Sequence, residues 1–94
     1  METRAVPPTE ELIDARALSK LKWRTRRGLL ENDLFIARFF EQHESRLTVR
    51  QAKAMETLMD LSDHDLMDLF MRRTEPDPAW ADADVVELLR LLRV

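Results

Sequence analysis

One glycine in 94 residues, Gly28, stands between two segments whose apolar residues recur near helical spacing. Glycine reaches positive φ without steric cost, so a chain that uses it once is expected to turn sharply there. The segment from about Asp14 to Arg26 reads as one helix and the segment from about Leu30 to His43 as a second, which makes Gly28 the expected C′ residue that ends the first. The residues around this turn are Arg26, Arg27, Glu31 and Asp33. These are charged side chains rather than short polar caps, and they mark the turn as more than a connection.

The first helix is expected to be capped by Thr9, with Glu10 and Glu11 in its first turn, where their charge complements the macrodipole. Leu12, Ile13, Ala17, Leu18 and Leu21 supply its apolar stripe. In the second helix Leu30, Leu34, Ala37 and Phe40 fall on one face, and Phe35, Ile36 and Phe39 widen that face until the helix reads as largely surrounded. Thr48 with Gln51 three residues later forms a capping-box pattern before a third helix, whose buried face is Val49, Ala52, Met55, Leu58 and Met59. Ser62 and Asp65 start a short fourth helix, with Leu66, Leu69 and Phe70 inward and Met67 and Met71 beside them. Thr74-Glu75-Pro76-Asp77-Pro78 is the strongest break, because each proline lacks a donor and restricts the residue before it. A last helix is expected from about Ala79 to Arg93, carrying Val85, Val86, Leu88, Leu89, Leu91 and Leu92. No alternating strand pattern and no repeat of 20–50 residues occurs. The expected fold is a small all-α bundle of five short helices in a single domain, residues 1–94, with residues 1–10 as a flexible arm.

Composition narrows the function classes. There is no cysteine, so disulfides and thiolate metal sites are out of reach; this is compatible with a reducing cytoplasm, the compartment expected here. No apolar run approaches the roughly 18 residues of a membrane span, and the first residues, Met1 to Pro8, lack a signal-peptide pattern, so no membrane insertion is expected. His43 and His64 have no partner at metal-ligand spacing, and no metal site is expected. No nucleophile with its base, no Gly-rich phosphate loop and no cofactor fingerprint occurs, so the chain is not expected to be an enzyme or to hold a cofactor stably. Methionines 55, 59, 67 and 71 lie at i, i+4 spacing on two helices and read as core filler.

Charge is uneven. Ten Lys or Arg face eight acids up to Arg50, and five face ten from Gln51 onward. Lys20, Lys22, Arg24, Arg26 and Arg27 fall within eight residues, with Trp23 among them. Such a patch could contact phosphates while the indole stacks on a base. Against nucleic acid, the chain is acidic overall, with net charge −3, and Glu31 and Asp33 adjoin the patch. Adjacent opposite charges fit a specific protein partner better, because they fix register and exclude wrong partners. As mere surface ion pairs they would add only about 0–1 kcal/mol.

Arg27-Gly28-Leu29-Leu30-Glu31 resembles the RGxxE motif of the SdhE family, with Arg26, Asp33, Phe39-Phe40-Glu41 and Asp68-Leu69-Phe70 extending the resemblance over roughly Leu18 to Arg90. Members of that family promote covalent attachment of FAD to the flavoprotein subunit of succinate dehydrogenase, and the family includes proteins labelled antitoxin CptB. The resemblance implies an assembly factor, or chaperone, that binds the flavoprotein subunit, with fumarate reductase as a further client. It implies docking through Arg27, Gly28 and Glu31, with Arg26, Asp33 and Trp23 as weaker additions. It also implies that flavinylation itself is autocatalytic in the partner, a flavoprotein histidine bonding to the 8α carbon of the isoalloxazine ring, so that the factor contributes positioning. A side chain at position 28 would then hold the partner's backbone away. A monomer binding one partner chain is expected. The alternatives are an antitoxin-like or nucleic-acid-binding small helical protein using the patch from Lys20 to Arg27.

Overall fold

The computed structural model describes residues 11–26 and 30–93. These form five α-helices, α1 (Ala15–Arg24), α2 (Leu30–His43), α3 (Val49–Met59), α4 (Asp63–Phe70) and α5 (Ala83–Leu92), with a 3-10 turn at Glu44–Arg46. Among the described residues there is no strand beyond one isolated antiparallel bridge, Leu12 to Thr48. The all-α expectation holds.

Four helix starts are set by side chains that accept an orphan backbone N–H. Asp14 accepts from Ala17, Thr48 from Gln51, Ser62 from Asp65 and Asp82 from Val85. The capping box of α3 is complete, because the Gln51 side chain also accepts from the Thr48 N–H at 3.0 Å. α3 and α5 pack most extensively on one another, α2 lies against α4 and α5, and α1 rests chiefly on α3. The shared core includes Phe39, Phe40, Leu47, Met55, Leu58, Leu66, Phe70, Leu88 and Leu92. Phe35 and Phe70 bring α2 and α4 together with ring centroids 5.1 Å apart.

Several local expectations are corrected. Residues 11–14 are not helical: Ile13 N–H donates to Leu47 O at 3.0 Å and Val49 N–H to Glu11 O at 2.7 Å, so Leu12 lies in an extended strap over the α2–α3 junction. Asp14 then starts α1, and the expected Thr9 cap lies outside the described residues. At its other end α1 stops at Arg24 with Thr25 as C-cap. The Thr25 hydroxyl donates to Lys22 O at 2.8 Å, a local bond that competes with continuing the helix. C′ is therefore Arg26, and Gly28, the residue expected there, lies outside the described residues.

The buried face of α2 also differs. Asn32, Ile36, Phe39 and Phe40 are buried, whereas Ala37 is exposed and Leu30 and Leu34 remain 67% and 62% exposed. α2 is thus covered on the side that meets α4 and α5 and open on the other, rather than surrounded. In α3 the inward residues are Ala54, Met55, Leu58 and Met59, with Val49 turned outward. Among the methionines, Met55 and Met59 fill the core, Met67 is half-buried and Met71 is exposed. α5 begins four residues later than expected, because the Asp77 carboxylate takes the Ala79 N–H at 2.9 Å and closes a separate turn first.

The end of α4 contains a left-handed residue that is not glycine. Arg72 has φ 63°, and it lets Arg72 N–H donate to Leu69 O at 3.1 Å and Arg73 N–H to Asp68 O at 2.8 Å. This pair of bonds is a Schellman motif, a site where glycine is usual.

Candidate functional site

Four of the six candidate residues fall within the described chain, at the corner between α1 and α2. Trp23, in the last turn of α1, is 76% exposed. Its carbonyl accepts the Arg26 N–H at 3.2 Å, which fixes the backbone of the exposed Arg26 just beyond the buried Thr25. Glu31 and Asp33 both sit in the first turn of α2, where two carboxylates complement the positive end of the dipole. Glu31 is exposed and Asp33 half-buried. Arg27 and Gly28 lie outside the described residues.

Trp23, Arg26 and Asp33 converge on a cleft of about 600 Å³ between α1 and α2, and Glu31 stands outside it. α1 contributes Ser19, Lys22 and Trp23, at i, i+3 and i+4, and Thr25 and Arg26 follow just beyond its end. Ile36, Ala37 and Phe40 form an apolar floor on α2, and Glu41 and Glu44 continue the acidic rim begun by Asp33. This spacing was present in the sequence, but only the splay of the two helices turns it into a wall.

The basic run does not act as one patch. Lys22 Nζ meets Glu44 Oε1 at 2.7 Å, and Arg24 Nη2 meets Asp60 Oδ1 at 3.0 Å. These partners belong to different elements, so alternate bases along α1 are drawn to opposite sides of the helix. Both pairs are substantially exposed and each contributes about 0–1 kcal/mol. Their consequence is a surface of interleaved sign, on which a phosphate backbone approaching Lys22 or Arg24 would meet a carboxylate beside it.

Sequence reasoning missed Asn32. Its side chain is fully buried, with 0% exposure, one position after Glu31. Nδ2 donates to Asp63 O at 3.0 Å and thereby ties the first turn of α2 to the start of α4, while Oδ1 has no hydrogen-bond partner among the described residues. An asparagine between two charged residues gave no sign of burial. Leu30 and Leu34 were also misread: they join Trp23 as exposed apolar groups around the corner. Among the described residues no group of His, Asp and Glu is arranged to hold a metal ion. Recognition chemistry is what this arrangement can supply: an aromatic and two leucines for apolar contact, and fixed charges of both signs for register.

Comparison with known proteins is decisive about kinship. Residues 19–93 match the Sdh5 family, described as the flavinator of succinate dehydrogenase. The chain belongs to the Sdh5 family. It is 44% identical over 80 residues to "FAD assembly factor SdhE" of Ralstonia nicotianae, covering 85% of this chain and 84% of the relative. The protein of the same name from Legionella pneumophila strain Lens is 33% identical over 81 residues, covering 86% and 96% of the two chains. Similarity extends to "Succinate dehydrogenase assembly factor 2, mitochondrial" of Lodderomyces elongisporus, 25% identical over 93 residues that cover 96% of this chain and 57% of that one. No solved structure matches the chain. The Sdh5-family match spans all six candidate residues, from Trp23 to Asp33, and the cleft between α1 and α2. No described helix is long and apolar enough to cross a membrane.

Proposed function

We propose that this chain binds the flavoprotein subunit of succinate dehydrogenase and promotes its covalent flavinylation with FAD. The observation that carries the reading is the match of residues 19–93 to the flavinator family. The factor acts as a chaperone rather than as a catalyst. It holds the flavoprotein where its own histidine, the flavin and the dicarboxylate are aligned, so that the gain comes from prepaid orientation. Arg27, Gly28 and Glu31 form the centre of the docking surface, with Arg26, Asp33 and Trp23 around them. The exposed Trp23 and the interleaved charges of the corner support this assignment, because tryptophan and arginine dominate interface energetics and mixed charges set register. The factor works in the cytoplasm as a monomer on one partner chain, serves the flavoprotein of fumarate reductase as well, and does not retain FAD itself.

The test is in-gel flavin fluorescence of the flavoprotein subunit in a strain lacking this protein. Fluorescence should fall, return with the wild-type gene, and return only weakly with Glu31→Ala or Gly28→Asp variants that accumulate normally. Full restoration by both variants would remove the docking assignment; undiminished fluorescence in the deletion strain would remove the function.

A further inference from the structure

We infer that the cleft between α1 and α2 seats an amphipathic helix of the flavoprotein partner, one that is acidic along the edge facing α1 and basic along the edge facing α2. The inference rests on the assembly-factor reading and adds the chemistry of the partner segment.

Three observations carry it. First, the walls have helical form and length. From Asp33 to Glu41 the α2 wall advances eight residues, about 12 Å at 1.5 Å per residue, which is just over two turns of an incoming helix. Both walls are helix side chains, so an extended segment would find no strand edge to pair with its backbone, whereas a helix satisfies its own hydrogen bonds. Second, the floor is apolar and low. Ser19 and Ala37 are small and exposed, and the edges of Ile36 and Phe40 lie beneath them, which leaves room for the apolar stripe of a partner helix. Third, the rims differ in sign. Arg26 stands on the α1 side and Asp33 and Glu41 on the other, with Lys22 and Glu44 already paired to each other, so a helix with carboxylates on one flank and cations on the other is held in a single direction.

The cleft also has polarity along its length. At one end the Lys22–Glu44 bridge spans from α1 to the 3-10 turn, with Lys22 Nζ 5.8 Å from the Phe40 ring centroid. The other end is lined by Arg26 and Asp33. Trp23, exposed on the α1 wall, is placed to cover the flank of a seated helix and exclude water from its charged contacts.

The experiment uses the full-length factor with purified apo flavoprotein subunit and FAD. Ser19→Trp and Ala37→Trp each fill the cleft from an exposed position, so melting measured by circular dichroism should match wild type. Each is expected to slow flavinylation at least tenfold and to weaken co-purification, while Lys53→Trp, exposed on α3 and outside this cleft, leaves the rate unchanged. A photoreactive benzoylphenylalanine in place of Ser19 should cross-link to flavoprotein positions three or four residues apart on one helix. Flavinylation at the wild-type rate with both tryptophan variants overturns the cleft proposal and leaves the assembly-factor reading standing. Cross-links confined to an extended segment or to a second copy of the factor overturn it as well. If wild-type factor gives no acceleration at all, the assembly-factor reading itself fails.

Discussion

Arg93 holds the end of α4 to the end of α5, and its removal has a calculable cost. Its side chain is only 10% exposed, and it donates from Nε to Leu69 O at 2.8 Å, from Nη2 to Thr74 O at 3.0 Å and from Nη1 to Glu75 Oε1 at 3.3 Å. The bond to Glu75 adds little, because that carboxylate is well exposed and water replaces the donor. Thr74 is likewise exposed, so its carbonyl is rehydrated when the guanidinium leaves. The Leu69 carbonyl belongs to a buried residue, and a charge-assisted bond to it is worth about 1.5–3 kcal/mol. Loss of the packed aliphatic stem adds about 1 kcal/mol. Arg93→Ala should therefore cost about 2–4 kcal/mol, which for a domain of this size lowers the Tm by at least roughly 8 °C. Arg93→Lys retains one donor and the stem, and should recover about half. Arg93→Met keeps the stem alone and separates the two contributions. Urea denaturation followed by far-UV circular dichroism measures all three. Because the partners that matter are carbonyls, the loss should be nearly the same at 0.05 and 1 M salt. A loss under 1 kcal/mol for Arg93→Ala, or one abolished by salt, would refute this reasoning.

Other perturbations follow from the same structure. Arg72→Gly relieves a left-handed backbone that costs a residue with a Cβ about 1–2 kcal/mol, part of which the freer unfolded chain takes back, so thermal melting should show a net gain of about 0.5–1 kcal/mol. Asn32→Leu removes the buried acceptor that has no partner among the described residues, at the expense of one hydrogen bond, on the same side-chain skeleton, and chemical denaturation should show a gain of about 1 kcal/mol. The Glu87 carboxyl titrates below the ordinary carboxylate range, chiefly because Arg90 hydrogen-bonds its charged form and also through the charge on Arg90. The stability it contributes is thus present above the ordinary carboxylate pKa and lost as pH falls through the lowered value; Arg90→Ala should return the carboxyl titration, followed by carbon NMR, to the usual range.

Helix identities were readable because local chemistry decides them. Thr48 with Gln51 and Ser62 with Asp65 set their helices through bonds three residues apart, and no distant partner is needed. The start of α5 was misjudged because Asp77 and Asp82 are both good caps, and only the turn closed by Asp77 shows which one begins the helix. The face of α2 was misjudged for a different reason. With Leu30, Leu34, Phe35, Ile36, Phe39 and Phe40 spread around it, its periodicity fits more than one side, and α4 and α5 make the choice. At the candidate site the charged residues were visible, but their pairing was not. Lys22 reaches 22 residues ahead to Glu44 and Arg24 reaches 36 ahead to Asp60, separations at which a linear pattern carries no signal.

The strap at Glu11–Ile13 bears on how the molecule opens. α1 has one main packing partner, and beyond it is fastened by the two strap bonds to Leu47 and Val49 and by two exposed ion pairs. The strap closes a long loop for two hydrogen bonds, so its entropic cost is high and its return small. Release of this segment is accordingly expected as a cooperative opening below the cost of global unfolding. Amide hydrogen exchange should find Ile13 and Val49 exchanging together with the amides of α1, at rates insensitive to core substitutions in α3 and α5. When that unit lifts, the wall carrying Trp23 and Arg26 swings away from α2, so the breathing of α1 sets the width of the cleft.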